Sequence, residues 1–111
     1  MNDSQALQQI GAAVSQNDVV LFMKGTPQFP QCGFSAMVAA TLTQLGVPFA
    51  SLNVLEDDAL RQGVKDYASW PTIPQLYVKG TFVGGCDIVR EMYESGELEQ
   101  LLREKGLLPP G

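Results

Sequence analysis

With 111 residues, of which 45% are hydrophobic and 17% charged, the chain is long enough for one small domain with its own core, and disorder is not expected. The formal net charge is −5 and no stretch is strongly basic, which argues against a nucleic-acid binder. The sequence contains no histidine, so Ser-His-Asp catalysis, Cys-His catalysis and histidine-ligated zinc are excluded.

The first half of the chain is predicted to alternate between helices and strands. An opening helix is expected after Ser4, a suitable N-cap, and a strand buried on both faces is expected over Val19–Met23. A loop with Gly and Pro occupies residues 24–31, and a second helix follows Cys32 and ends at Gly46. The apolar positions that predict the two helices are Leu7, Ile10 and Val14, then Phe34, Met37, Val38, Leu42 and Leu45.

The second half is predicted to add three strands and two further helical regions. In chain order these are a strand over residues 49–55, a helix after Asp57 with Leu60, Val64 and Tyr67 on one face, a Pro-rich break at residues 70–74, a hairpin of strands 75–78 and 82–83, and a last helical region after Gly85 that Gly96 interrupts. The strand-helix-strand units imply parallel pairing, and the hairpin adds an antiparallel edge. The expected fold is therefore α/β, a four-stranded mixed sheet with helices on both faces, in the thioredoxin-like order.

One domain is expected to span residues 1–111, with a core over about residues 10–104 and a short flexible tail over 105–111. The segment Met1–Ile10 lacks the basic and apolar regions of a signal peptide. The longest apolar run, Val19–Met23, is far shorter than the ~20 residues of a membrane helix. Two cysteines are too few for a disulfide scaffold, so a reducing, cytoplasmic location without membrane attachment is predicted.

Cys32 is the best candidate for chemistry because it stands where a strand passes through a loop into a helix. Free backbone N–H groups and the helix dipole favour the thiolate there, the form that acts as nucleophile and as metal ligand. The alternative is a small buried hydrophobe. Ser35 stands where a dithiol enzyme has its second cysteine, so Cys32 cannot close a local disulfide and would need an outside thiol or Cys86.

Four motifs in register resemble those of monothiol glutaredoxins, and in particular the single-domain bacterial form of the CGFS class. They are Met23-Lys24-Gly25-Thr26-Pro27, Cys32-Gly33-Phe34-Ser35, Trp70-Pro71-Thr72-Ile73-Pro74 and Gly84-Gly85-Cys86-Asp87. The resemblance runs from about residue 10 to residue 102.

The resemblance implies a glutathione site. Lys24 and Arg61 would hold the glycine carboxylate; the alternative, ordinary surface charge, weighs more for Arg61. Pro74 would follow a cis peptide bond, with the backbone of Ile73 pairing with the cysteinyl part of glutathione. Two glycines would let the ligand approach the backbone.

The last motif would bind the other end of glutathione. The amides of Cys86 and Asp87 would hold the γ-glutamyl carboxylate, and the Asp87 side chain would face the ammonium, or would cap the helix. The Cys86 thiol would pack or be open to oxidation. Trp70 and Tyr67 are interpreted as core aromatics rather than as a stacking platform.

The resemblance further implies a role in iron–sulfur chemistry. A [2Fe–2S] cluster needs four ligands, so Cys32 from each of two chains and two glutathiones would share it in a homodimer. The preferred function is a carrier between iron–sulfur assembly proteins and apo client proteins, with a BolA-type protein as a possible second partner. The loop at residues 25–31, which resembles the CGFS-class insertion, supports this choice. The alternatives are a glutathione-dependent oxidoreductase with Cys32 as nucleophile, and a binding module without redox chemistry.

Overall fold

Five helices and four strands follow one another in this computed structural model, which describes all 111 residues. They are α1 (Asp3–Gln16), β1 (Val19–Met23), α2 (Gly33–Leu45), β2 (Ala50–Asn53), α3 (Asp58–Ala68), β3 (Gln75–Val78), β4 (Thr81–Gly84), α4 (Cys86–Ser95) and α5 (Glu97–Glu104), with a 3₁₀ turn at Val54–Glu56 between β2 and α3. None of the helices is long and apolar enough to cross a membrane.

The strands form one mixed sheet, as predicted, and its strand order is β2-β1-β3-β4. β1 pairs in parallel with β2 and antiparallel with β3, and β3 pairs antiparallel with β4. The predicted parallel pairing is therefore confirmed for the first strand-helix-strand unit, β1-α2-β2. For the second unit, β2-α3-β3, it is wrong, because β3 runs antiparallel to β1. The segment after α3 returns the chain to the carboxyl end of β1, where Gln75 pairs with Phe22, so β3 has to run back along β1.

Local hydrogen bonds move two predicted boundaries. The N-cap of α1 is Asn2 and not Ser4, because Asn2 and Gln5 form a reciprocal capping box. The second strand ends at Asn53, two residues before the predicted end, since the Asn53 side chain accepts the N–H of Leu55 and opens the 3₁₀ turn. The interruption at Gly96 is confirmed; its φ of 85° separates α4 from α5.

Alternation along β1 divides the core between the two faces of the sheet. Val19, Leu21 and Met23 pack with α2, α4 and α5, whereas Val20 and Phe22 pack with α1 and α3. Residues 105–111 follow α5, and within them Leu107 and Leu108 lie against the first of these clusters. Leu7, Phe34 and Tyr67, predicted from helical spacing to face the core, are exposed.

Candidate active site

Cys32 lies at the start of α2 as its N-cap residue, half-buried and with an extended backbone (φ −153°, ψ 133°). The pKa of its thiol is lowered, chiefly by hydrogen bonding from the backbone N–H of Ser35, while burial acts in the opposite direction. The N–H of Phe34, the Ser35 hydroxyl and the Lys24 ammonium lower the pKa further. The thiolate is therefore favoured, as the sequence predicts, and Cys32 is not an inert core residue.

Ser35 helps to build the site through its side chain, a role that the sequence interpretation missed. Its side chain is fully buried, and its Oγ accepts a hydrogen bond from the backbone N–H of Lys24 at 3.0 Å. The same hydroxyl contributes to lowering the pKa of Cys32. Ser35 thus joins the end of β1 to the thiol, besides taking the place of a second cysteine. Its position three residues after an N-cap is the only sequence feature that indicates this.

The loop between β1 and Cys32 is a small hydrogen-bonded turn. The N–H of Gln31 donates to the Lys24 carbonyl at 2.9 Å, and Thr26 and Phe29 exchange backbone hydrogen bonds of 3.2 and 3.1 Å. The N–H of Gly25 donates to Asn53 Oδ1 at 2.9 Å, which ties the loop to the end of β2. Lys24 and Cys32 are held in place at the two ends of this loop.

Two adjoining cavities surround the thiol. The cavity that includes Cys32 has a volume of about 340 Å³ and is lined by Lys24, Cys32, Phe34, Lys65, Pro71, Thr72 and Ile73. The second has a volume of about 190 Å³ and is lined by Phe34, Trp70, Thr72, Ile73, Pro74, Gly85, Cys86, Asp87 and Ile88. Because three residues line both, the cavities form one continuous groove from the Lys24 side to the start of α4.

Five of the six predicted site residues line this groove, and Arg61 does not. Arg61 is exposed on α3, in a shallow neighbouring depression that it shares with Lys65. Lys65, one helical turn further on, is half-buried and reaches the Cys32 cavity. Sequence reasoning missed Lys65, although its spacing of four residues from Arg61 on the same helix indicated a shared face.

The Ile73–Pro74 peptide bond is cis, as the resemblance implied. Ile73 takes no part in the backbone hydrogen bonds of the sheet, turns or caps, so its N–H and carbonyl are free to pair with an extended ligand. Its side chain is buried and lines both cavities.

The start of α4 has backbone donors that no side chain caps. Gly85 is the N-cap residue, which leaves the N–H groups of Cys86 and Asp87 without an intrahelical partner. Asp87 does not cap the helix; its carboxylate is exposed and pairs with Arg90 at 3.0 Å. Such a helix end favours a carboxylate ligand.

Packing within the chain requires glycine at position 84 but not at position 85. A Cβ on Gly84, whose φ is +151°, would lie 2.7 Å from the Ile88 Cβ, whereas one on Gly85 would lie 3.2 Å from the Pro74 carbonyl oxygen, a contact that a small shift relieves. The predicted reason, close approach of a ligand, is therefore not needed to explain Gly84 and stays a prediction for Gly85.

The prediction that Trp70 is a core residue is wrong. Trp70 is 37% exposed and lines the groove, and its ring contacts Phe82 at a tilt of 55° with ring centroids 5.7 Å apart. Tyr67 is likewise exposed, and it contacts Tyr77 edge-on at 6.0 Å. The Pro-rich segment that follows α3 carries the indole to the surface.

The two thiols are expected to differ in reactivity towards iodoacetamide. Burial raises the pKa of Cys86; Arg90 opposes this, and the charges of Asp87 and Cys32 add to it. The pKa of Cys32, by contrast, is lowered. At neutral pH we expect alkylation of Cys32 to be about tenfold faster, because the thiolate is the reacting form. As the pH falls, Cys32 should keep its reactivity until its lowered pKa is passed; Cys86 should already react slowly at neutral pH and should approach its full rate only at alkaline pH.

Peptide mass spectrometry across the pH range measures both rates, and the single variants Cys32→Ser and Cys86→Ser assign each curve. Equal rates at neutral pH would contradict the account of Cys32.

The sheet, the single activated thiol and the free backbone beside a cis-proline together define a thiol-dependent protein of the thioredoxin-like class. The family model named Glutaredoxin matches residues 19–83. The chain is 51% identical over 105 residues to "Probable monothiol glutaredoxin 2" of Rickettsia typhi, which covers 95% of each protein. The chain belongs to the glutaredoxin family, and its Cys32-Gly33-Phe34-Ser35 motif is of the monothiol kind.

Solved structures agree with this assignment. The solution structure of reduced poplar apo GrxS14 superposes with a TM-score of 0.81 at 52% identity, covering 94% of this chain and 96% of that one. The crystal structure of a buckwheat glutaredoxin–glutathione complex superposes with a TM-score of 0.83 at 28% identity, covering 96% of this chain and 94% of that one. The predicted fold class is confirmed.

Proposed function

We propose that this protein binds glutathione in the groove beside Cys32. Two chains would together hold one [2Fe–2S] cluster, which is the cargo that the protein delivers. The observation that carries the proposal is the position of one activated thiol within a groove whose two ends both offer partners for carboxylates. Glutathione has a carboxylate near each end, with a thiol between them. The solved buckwheat complex gives a glutaredoxin with glutathione as precedent.

Each part of glutathione has a chemically suitable partner in the groove. The glycine carboxylate would meet the ammonium groups of Lys24 and Lys65, and Arg61 would add longer-range attraction. The free backbone of Ile73 would pair with the cysteinyl residue, which sets its sulfur beside Cys32.

The other end of the tripeptide would reach α4. Its γ-glutamyl carboxylate would accept hydrogen bonds from the amides of Cys86 and Asp87 at the helix start. The Asp87 carboxylate would face the ammonium group, in competition with Arg90.

Ligand number supports a shared cluster. Nowhere in the chain do three His, Cys, Asp or Glu side chains gather closely enough to hold a metal ion. A [2Fe–2S] cluster is held by four ligands, so one chain cannot supply the set. Cys32 from each of two chains and the sulfur of one glutathione bound to each would complete it. Ligands that include diffusible glutathione make the cluster releasable, as a carrier requires.

A glutathione-dependent oxidoreductase is the second candidate, and the lowered pKa of Cys32 favours it. The Cys32 thiolate would attack the glutathione sulfur of a glutathionylated protein and release the protein thiolate. A second glutathione would then attack that sulfur, regenerating the Cys32 thiolate and leaving as glutathione disulfide. The hydrogen-bonded loop at residues 24–31 favours the carrier, since it holds Lys24 and the thiol in a fixed relation suited to a ligand.

The partners follow from the carrier role. We propose iron–sulfur assembly proteins as donors, apo proteins as acceptors, and a BolA-type protein as an alternative second subunit. Two exposed apolar side chains offer contact area for such partners: Phe34, which lines the cavity of Cys32, and Phe29, which lies in the loop before it.

The two candidate functions separate in one pair of assays on the same preparation. Reduction of a glutathionylated peptide is followed with glutathione in excess, and cluster transfer to an apo ferredoxin is followed by visible circular dichroism. We expect slow reduction and complete cluster transfer. Rapid reduction together with no transfer would establish the oxidoreductase instead.

The two cations of α3 are expected to contribute unequally to glutathione binding. Lys65→Gln should weaken binding about fivefold to tenfold, because Lys65 lines the cavity of Cys32 and is half-buried. Arg61→Gln should weaken it less than about threefold, since Arg61 is exposed and outside that cavity. Isothermal titration at low and high salt measures both effects. A larger loss in the Arg61 variant would contradict the proposed placement of the glycine carboxylate.

A further inference from the structure

We propose that Gln75 is a positioning residue that fixes the segment Trp70–Pro74 in the shape that binds glutathione. The inference rests on the proposed glutathione site and identifies what holds one wall of it. Gln75 is outside the groove and outside the four sequence motifs that point to the site. It lies directly after the cis-proline, as the first residue of β3.

Gln75 is completely buried and makes two hydrogen bonds to the segment before it. Its side-chain Nε2 donates to the Trp70 carbonyl at 3.2 Å and to the Thr72 carbonyl at 3.1 Å. Its own backbone is anchored in the centre of the sheet, where it pairs with Phe22 of β1. One amide group thus ties two points of the segment to the most rigid part of the fold.

The segment has little else to hold its backbone in place. The N–H of Trp70 donates to the Lys65 carbonyl at the end of α3, but residues 71–74 take part in no backbone–backbone hydrogen bond. Pro71 and Pro74 have no N–H to donate. The side chain of Gln75, two residues away, therefore fixes the position of Ile73 without using the Ile73 N–H or carbonyl. Both groups stay free to pair with the ligand.

The hydrogen bonding of Gln75 indicates that it positions the segment Trp70–Pro74 rather than stabilising the fold. Its Oε1 is buried and has no hydrogen-bond partner, which is unfavourable for a polar atom. A methionine of similar length would fill the same space without this unpartnered oxygen. What methionine lacks is the amide N–H pair that reaches the Trp70 and Thr72 carbonyls.

Loss of the two hydrogen bonds should therefore show in binding more than in folding. Without them the segment samples several conformations, and the apparent dissociation constant equals the intrinsic one divided by the fraction of time that the segment spends in the competent conformation. We expect Gln75→Met to bind glutathione about fivefold to tenfold more weakly. Gln75→Glu should lie between Met and Gln, since a buried carboxyl stays protonated and keeps one donor.

Tryptophan fluorescence gives a readout of the segment that does not depend on glutathione. Trp70 is the only tryptophan in the chain, and its carbonyl is one of the two acceptors. In the folded full-length protein, acrylamide should quench Trp70 more strongly in Gln75→Met than in the wild type, and to an intermediate degree in Gln75→Glu. Thr41→Val is the matched control, because Thr41 is also buried but bonds the Met37 carbonyl within α2, far along the chain from the segment.

The experiment combines titration calorimetry with glutathione, acrylamide quenching and thermal unfolding on all four proteins. Weaker binding together with stronger quenching in Gln75→Met, and neither change in Thr41→Val, supports the proposal. Unchanged quenching in Gln75→Met overturns it, whatever happens to binding. If the wild type itself binds no glutathione, the proposed function fails while quenching still decides whether Gln75 holds the segment. If Gln75→Met does not fold, the same criteria apply to Gln75→Glu.

Discussion

Replacing Cys32 by serine is expected to abolish cluster assembly while leaving the protein folded. Cys32 is the one thiol whose pKa is lowered, and a serine hydroxyl does not ionise to give a comparable ligand. Stability should stay within ~1 kcal/mol of the wild type, because residue 32 is the N-cap of α2, where serine is a preferred residue whose hydroxyl accepts the same backbone N–H groups as the thiol. Visible absorbance after anaerobic reconstitution with glutathione measures the loss, and thermal unfolding measures the stability.

Cys86→Ser is the matched control, since both cysteines are half-buried free thiols at helix starts. Burial raises the pKa of Cys86. Its expected role is to donate its backbone N–H to glutathione, and serine retains that group. This variant should assemble the cluster at close to the wild-type level. Comparable loss in both variants would mean that Cys86 is a ligand or a disulfide partner of Cys32, which the account does not allow.

Gly25→Ala is expected to be the most destabilising single-atom change near the site. Gly25 has a φ of +89°, and an added Cβ would lie 2.6 Å from the Phe29 carbonyl oxygen and from the Gln31 backbone nitrogen. Both contacts are with backbone, which cannot move aside without breaking the turn. We expect a loss of about 2–4 kcal/mol in the free energy of unfolding, measured in urea. Glutathione binding should fall as well, because the same turn positions Lys24.

Gly33→Ala provides a control in the same part of the chain. Gly33 is the first residue of α2, and a Cβ there meets nothing within 4 Å. Alanine should leave stability unchanged or raise it by up to about 1 kcal/mol, through lower entropy of the unfolded chain. A similar loss of stability in the two variants would show that the site tolerates no alanine in general, and would contradict the specific role of the Gly25 turn.

The sequence predicted those features that local pattern determines. The apolar runs located β1 and β3, the glycine after α2 was the correct stop, and four short motifs located five groove residues. The predicted parallel direction of β3 was wrong, since β3 runs antiparallel to β1. Its direction depends on where the chain returns to the sheet after α3, and no local pattern encodes that. Ser4 was predicted as the cap in place of Asn2 because both are preferred cap residues, and only the reciprocal hydrogen bonds between Asn2 and Gln5 distinguish them.

The missed residues of the site act through contacts between segments distant in sequence. Lys65 enters the Cys32 cavity from α3, and Ser35 reaches back to Lys24 across the intervening loop. Trp70 was assigned to the core because aromatic residues usually pack there, but the segment after α3 turns it towards the groove. Helical spacing gives the face of a helix, not what that face meets.

Native mass spectrometry of the anaerobically reconstituted protein tests the central claim most directly. With glutathione present, we predict one species that contains two chains, two glutathiones and one [2Fe–2S] cluster, and that is absent when glutathione is omitted. A cluster-bound species that forms equally well without glutathione, or a protein that remains a cluster-free monomer under all conditions, would contradict the account.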